Sequence, residues 1–179
     1  MRKLYLGSVL AVAVTLMSPG SFVTADKSRG NIRARLTGFQ EVPSVSTTGK
    51  GEFQAKLNED GTMLSYELSY SELTGTTVSA AHIHLGQPAA NGGVMAFLCG
   101  GGTKPACPAS GTVTGTIVAS DVTGPANQGI AAGEFDEMLR AIRSGNAYVN
   151  VHTNLFGSGE IRGQLRGPRH FRGDDDDDD

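Results

Sequence analysis

With 179 residues, 39% of them hydrophobic and 18% charged, the chain has room for one well-buried domain and little for a second. Its formal net charge of -3 hides an asymmetry, because six of the 18 acidic residues are the consecutive aspartates 174–179. Without that run and the basic pair Arg2 and Lys3 the body is nearly neutral, which excludes the basic stripe that nucleic-acid binding requires.

The chain opens with Arg2 and Lys3, an apolar segment over about 4–17, and the small-residue pattern Val23-Thr24-Ala25 before Asp26. That is the pattern of a secretory signal peptide over 1–25, its apolar core too short to span about 30 Å of hydrocarbon. The expected product is secreted or periplasmic, with a single domain over 26–168 and no membrane span after removal of the signal.

Alternating or apolar runs follow at 32–36, 51–57, 63–70, 78–85, 94–98, 111–118, 147–152 and 160–165, separated by turn-forming stretches such as Asn58-Glu59-Asp60-Gly61. Short strands at regular spacing predict an all-β sandwich or barrel. The fourth run contains Ala81-His82-Ile83-His84-Leu85. Side chains two apart on a strand share a face, so His82 and His84 point one way and Ala81, Ile83 and Leu85 the other, toward the core.

Cys99 and Cys107 flank the Gly/Pro-containing loop GGGTKPA. In an exported chain this pair predicts a local disulfide, and the spacing is not the C-x-x-C of a redox or metal motif. One later segment changes period: Phe135, Met138, Leu139 and Ile142 stand at i, i+3, i+4 and i+7, predicting a short amphipathic helix near 133–144. Acidic residues lie in its first turn, arginines near its end and Gly145 just beyond, as the helix dipole and a glycine stop require.

In the seventh run Val149 and Val151 face inward, while Tyr148, Asn150 and His152 face outward. If that strand lies beside the His82 strand, three imidazoles can meet. An H-x-H pair with a third histidine can chelate zinc or copper at about 2.0–2.1 Å per nitrogen. The plainer alternative is a hydrogen-bonded polar strip on the sheet surface. Arg162, in the last run, is a candidate to hold a small anion beside the metal, or to pair with Glu160 or Glu41 at the surface. Glu41 and Asn150 are candidates to orient a ligand from behind.

The tail 169–179 contains the fourth histidine, His170, and ends in six aspartates that cannot pack at neutral pH, so it is expected to be disordered. A flexible carboxylate run binds calcium or another hard cation only weakly, having no preformed cage. No G-x-S-x-G elbow or phosphate-binding glycine loop occurs, so no residue is assigned a catalytic role.

Taken together, the blocks Ala34-Arg35-Leu36-Thr37-Gly38-Phe39-Gln40-Glu41-Val42-Pro43, Ala81-His82-Ile83-His84-Leu85-Gly86 with Asn91-Gly92-Gly93-Val94, and Ala147-Tyr148-Val149-Asn150-Val151-His152-Thr153 with Gly159-Glu160-Ile161-Arg162-Gly163-Gln164-Leu165 resemble the CHRD domain. That module is named after chordin and is common in exported bacterial proteins. The likeness runs over about 32–165 and implies an immunoglobulin-like antiparallel β-sandwich of Greek-key type acting as a binding module. A more distant similarity is to copper,zinc superoxide dismutases, which carry an H-x-H, a later copper-binding histidine and then an anion-attracting arginine. His82, His84, His152 and Arg162 stand in that order, but the dismutases' histidine-rich zinc loop has no counterpart here. Three functions are therefore expected as rivals: a module for an extracellular or periplasmic partner, a copper or zinc protein with a dismutase-like site, and a structural envelope component.

Overall fold

The structure is a computed structural model that describes residues 31–167. The expected signal peptide 1–25, His170 and the acidic run 174–179 lie outside the described residues. Eight strands and one α-helix form: β1 (Asn31–Thr37), β2 (Lys50–Leu57), β3 (Leu64–Ser71), β4 (Val78–Leu85), β5 (Val94–Cys99), β6 (Gly111–Ile117), α1 (Phe135–Arg143), β7 (Ala147–Thr153) and β8 (Ile161–Gln164). All eight runs read as strands are strands, with no end moved by more than one residue.

The strands make one antiparallel sheet in the order β5-β4-β7-β8-β1-β2-β3-β6. Period-2 alternation sets its inner face. Ala34 pairs with Phe53, Phe53 with Leu68 and Leu68 with Val113, so four successive strands present an apolar row on one side. The sheet curls until distant strands face each other: the Tyr66 hydroxyl on β3 donates to the Leu98 carbonyl on β5 at 2.7 Å. The architecture is thus a near-closed barrel around a core in which Leu36, Leu64, Leu68, Ile83, Leu98 and Ile117 are fully buried. Each such side chain contributes about 1.5–3 kcal/mol by leaving water.

β5 breaks the alternation, and the register explains why. Its pairing with β4 shifts between Ala81 and His82 and again between Ile83 and His84, leaving Leu98 and Met95 as the extra residues. These bulges let Met95, Ala96, Leu98 and Cys99 all be buried while Phe97 stays on the outer face opposite His82. Cys99 ends β5 and is bonded to Cys107, closing the loop that leads to β6. The helix buries Phe135, Met138, Leu139, Ala141 and Ile142. It stops where Gly145 takes φ 74°, a left-handed conformation suited to glycine, and Asn146 N–H returns to the Ala141 carbonyl. Among the described residues no helix is long and apolar enough to cross a membrane.

Candidate metal centre

β4 and β7 are neighbours, and their register places Ala80 opposite His152, His82 opposite Asn150 and His84 opposite Tyr148. The three imidazoles therefore share the outer face of one strand pair. Ring centroids lie 5.2 Å apart for His82 and His84, 4.8 Å for His82 and His152, and 6.0 Å for His84 and His152. One nitrogen from each ring falls within 4.8 Å of the others. Nitrogens bound at about 2.0–2.1 Å in a trigonal or tetrahedral site stand about 3.3–3.6 Å apart, so small ring movements close the set.

Facing away from the core does not expose these rings. His82 and His84 are only 9% and 7% exposed and His152 is half-buried, because loops cover this part of the sheet. The covering loops also fix the tautomers. His84 Nδ1 lies 3.0 Å from the Gly92 carbonyl and His152 Nδ1 lies 3.0 Å from the Gly157 carbonyl. A carbonyl only accepts, so each Nδ1 carries the hydrogen and each Nε2 keeps its lone pair. His84 Nε2, His152 Nε2 and His82 Nδ1 are buried and have no hydrogen-bond partner among the described residues.

Three buried ring nitrogens without partners are unusual, since buried polar atoms are nearly always satisfied. Burial, reinforced by the other two imidazoles, pushes His82 down to about 3. Burial does the same to His84, to about 4, against the opposing pull of the Gly92 carbonyl. His152 is lowered by burial as well, with the Gly157 carbonyl acting against it. All three are neutral at physiological pH, the form that binds a metal. Phe97 meets the His82 ring edge-on at 4.5 Å and closes one side.

The other candidates gather beside the histidines. Asn150 sits in register between His82 on β4 and Arg162 on β8. Its Nδ2 donates to both carboxylate oxygens of Glu41 at 3.1 Å, while its Oδ1 is buried and unpaired among the described residues. Burial raises Glu41 to about 7, opposed first by the Arg162 charge and then by the bond from Asn150. Glu41 thus reaches the site from its loop after β1. Gly159, at φ 128°, lies against this pair: a Cβ there would come within 2.6 Å of Glu41 Oε1 and 2.5 Å of Asn150 Nδ2.

Arg162 is 1% exposed, so the surface ion pair does not form. Its NH2 donates to the Gln87 and Ala90 carbonyls at 3.1 and 2.9 Å, and its NH1 to Asn91 Oδ1 at 3.4 Å. The guanidinium carbon rests 3.4 Å from the centre of the Tyr148 ring. Glu160 turns elsewhere. Fully buried, it accepts from the Thr47 and Thr153 hydroxyls and from the Thr74 and Gly75 N–H groups, which ties three loops together.

Sequence reasoning did not reach Gly92 and Gly157, which act through backbone carbonyls, nor Tyr148 as a stacking partner of His84. The first two leave no side-chain signal, and the third has only its place on the outer face of the His152 strand.

The fold and site together define an all-β domain with one local disulfide and a buried cluster of three neutral histidines. A family model for the CHRD domain matches residues 32–165, and the chain belongs to that family. Comparison with curated proteins and with solved structures finds no match.

Proposed function

We propose that this protein is an exported CHRD-domain binding module whose ligand is a transition-metal ion, copper or zinc, held by His82, His84 and His152. One observation carries the reading: each of the three rings has a buried nitrogen with no protein partner, and one nitrogen of each ring lies within 4.8 Å of the others. Neutral nitrogen donors without a neighbouring thiolate or thioether suit zinc and Cu(II) better than Cu(I). A bound copper ion supplies one-electron chemistry and a zinc ion Lewis acidity. The chain's own part is to hold the rings, fix two tautomers through Gly92 and Gly157, and keep bulk water off with Phe97 and the loops.

Export is supported by the leader pattern at 1–25 and by the disulfide, a bond that persists in oxidising compartments. The finer architecture inferred is an immunoglobulin-like, superoxide-dismutase-like Greek-key sandwich. It is supported by the links from β3 to β4, β5 to β6 and β6 to β7, each joining strands that are not neighbours in the sheet.

The test is metal content. The untagged protein is exposed to Zn(II) or Cu(II), dialysed and analysed for metal, alongside His82→Ala and His152→Ala. One ion per chain in the wild type, lost in both variants, supports the proposal. A wild type that takes up neither ion refutes it and leaves a module for another extracellular partner or a structural envelope component. The order His82, His84, His152, Arg162 also suits dismutase-like copper chemistry, which a superoxide assay of the copper-loaded protein tests directly. The engagement of the Arg162 guanidinium with carbonyl groups weighs against that second reading.

A further inference from the structure

Among the described residues no carboxylate bonds the buried guanidinium of Arg162 directly, although the Glu41 charge acts on it, and its own hydrogen bonds go to neutral groups. Its partners show what it holds in place. The segment 86–93 runs from the end of β4 to the start of β5 as a strap across the outer face. Arg162 holds the middle of that strap through the Gln87 and Ala90 carbonyls and Asn91 Oδ1. Gln164 donates to the Gly86 carbonyl at 2.8 Å, and the Tyr148 hydroxyl accepts from Gly92 N–H at 3.2 Å. The same strap then offers the Gly92 carbonyl to His84 Nδ1.

A second route runs through the tyrosine ring. The His84 imidazole lies parallel to Tyr148, with centroids 4.8 Å apart and planes 6° from parallel. The guanidinium lies 3.4 Å from the centre of that same ring. Both groups would overlap on one face, so they take opposite faces and Tyr148 is clamped between them. Arg162 therefore reaches His84 twice, once through the backbone that fixes its tautomer and once through the ring that fixes its plane. His152 shares neither connection, since its own Nδ1 bonds Gly157 in a different loop.

We propose that Arg162 is a positioning residue for His84: its planar fork ties the 86–93 strap and clamps Tyr148, so that His84 holds the Nδ1–H tautomer and keeps Nε2 turned into the cluster. Three of its five N–H donors go into this latch. Lysine cannot replace it, because a compact ammonium on a flexible stem neither forks between carbonyls nor stacks flat on a ring. As a statement about metal binding the inference rests on the three-histidine site; as a statement about the tautomer of His84 it does not.

The test uses the untagged, 15N-labelled protein stripped of metal, with long-range proton–nitrogen spectra of the imidazoles, followed by Zn(II) titration. Wild type is expected to show the Nδ1–H form at both His84 and His152. In Arg162→Lys, His84 should become a mixture of tautomers while His152 is unchanged, and Zn(II) affinity should fall about 10–100-fold, the range for lost groups that orient metal ligands. Retention of the His84 tautomer and of the affinity in Arg162→Lys overturns the proposal, as does equal disturbance of His84 and His152, which would mean general loosening. Should Arg162→Lys fail to fold, Tyr148→Phe and the exposed Asn91→Ala decide, each removing one tie of the strap; an unaltered His84 signal in both overturns the inference. Wild type that binds neither Zn(II) nor Cu(II), together with a His84 tautomer lost in Arg162→Lys, upholds the latch and refutes the metal reading alone.

Discussion

Acid should destabilise the metal-free protein in a way set by the burial of its histidines. In the folded chain His82 titrates at about 3 and His84 at about 4, against 6.5 for each when unfolded. Below pH 6.5 the unfolded chain takes up protons that the folded chain refuses, so stability present above 6.5 is lost as pH falls toward 4. Each histidine of this kind contributes about 1.4 kcal/mol per pH unit. Glu41 works the other way. Raised from 4.5 to about 7, it is protonated when folded and ionised when unfolded between those values, so it costs stability as pH rises through that window. Between pH 6.5 and 4.5 it offsets one of the two histidines, and the net loss is about 1.4 kcal/mol per unit, or about 3 kcal/mol over the window. Histidine 152 adds to this loss in the same direction. Urea unfolding at pH 7.5 and 5.0 in the presence of chelator measures it. His82→Gln removes one histidine's share and should reduce the pH dependence by about 2 kcal/mol between 6.5 and 5.0, whereas Glu41→Gln should steepen it. Equal stability at the two pH values in the wild type, or an unchanged difference in His82→Gln, would refute the reasoning.

Gly159→Ala should destabilise by about 1–3 kcal/mol, from a φ of 128° that alanine resists and a Cβ pressed against Asn150 and Glu41, read as a lower urea midpoint. Replacing both Cys99 and Cys107 by serine should cost about 2–3 kcal/mol, since the closed loop is short; reduction of the wild type should give the same shift. Tyr66→Phe removes the bond to the Leu98 carbonyl across the barrel and should cost about 1–3 kcal/mol, because that acceptor is left buried. Glu160→Gln places amide hydrogens against N–H and hydroxyl donors, and a loss of about 2 kcal/mol or more is expected by thermal unfolding.

The strand pattern was legible because alternation is a local property: Ile32, Ala34 and Leu36, or Phe53 and Ala55, mark their inner face without reference to any other strand. The helix announced itself by its period in the same way. The meeting of His82, His84 and His152 was legible only up to a condition, since which strands are neighbours is decided by the path of the chain. β5 was harder, because its bulges place Met95 and Leu98 inside against simple alternation. Least legible was the cover. Residues on the outer face of a sheet read as solvent-facing, yet Arg162 and Asn150 are buried there, together with Glu41 of the loop after β1, by segments whose course depends on turns and on the ties made by Arg162 and Glu160. Accordingly a charge expected at the surface proved to be internal wiring.

The two carbonyls that grip the histidine rings belong to glycines, and the stretches around them carry outward-pointing side chains at Gln87 and Pro88 and at Leu155 and Ser158. Main-chain oxygen is common to every amino acid, so those outward positions are free to change character while the grip stays as it is. The rim can thus be retailored for a new neighbour, charged, greasy or sugar-like, and the imidazole trio beneath would keep its chemistry.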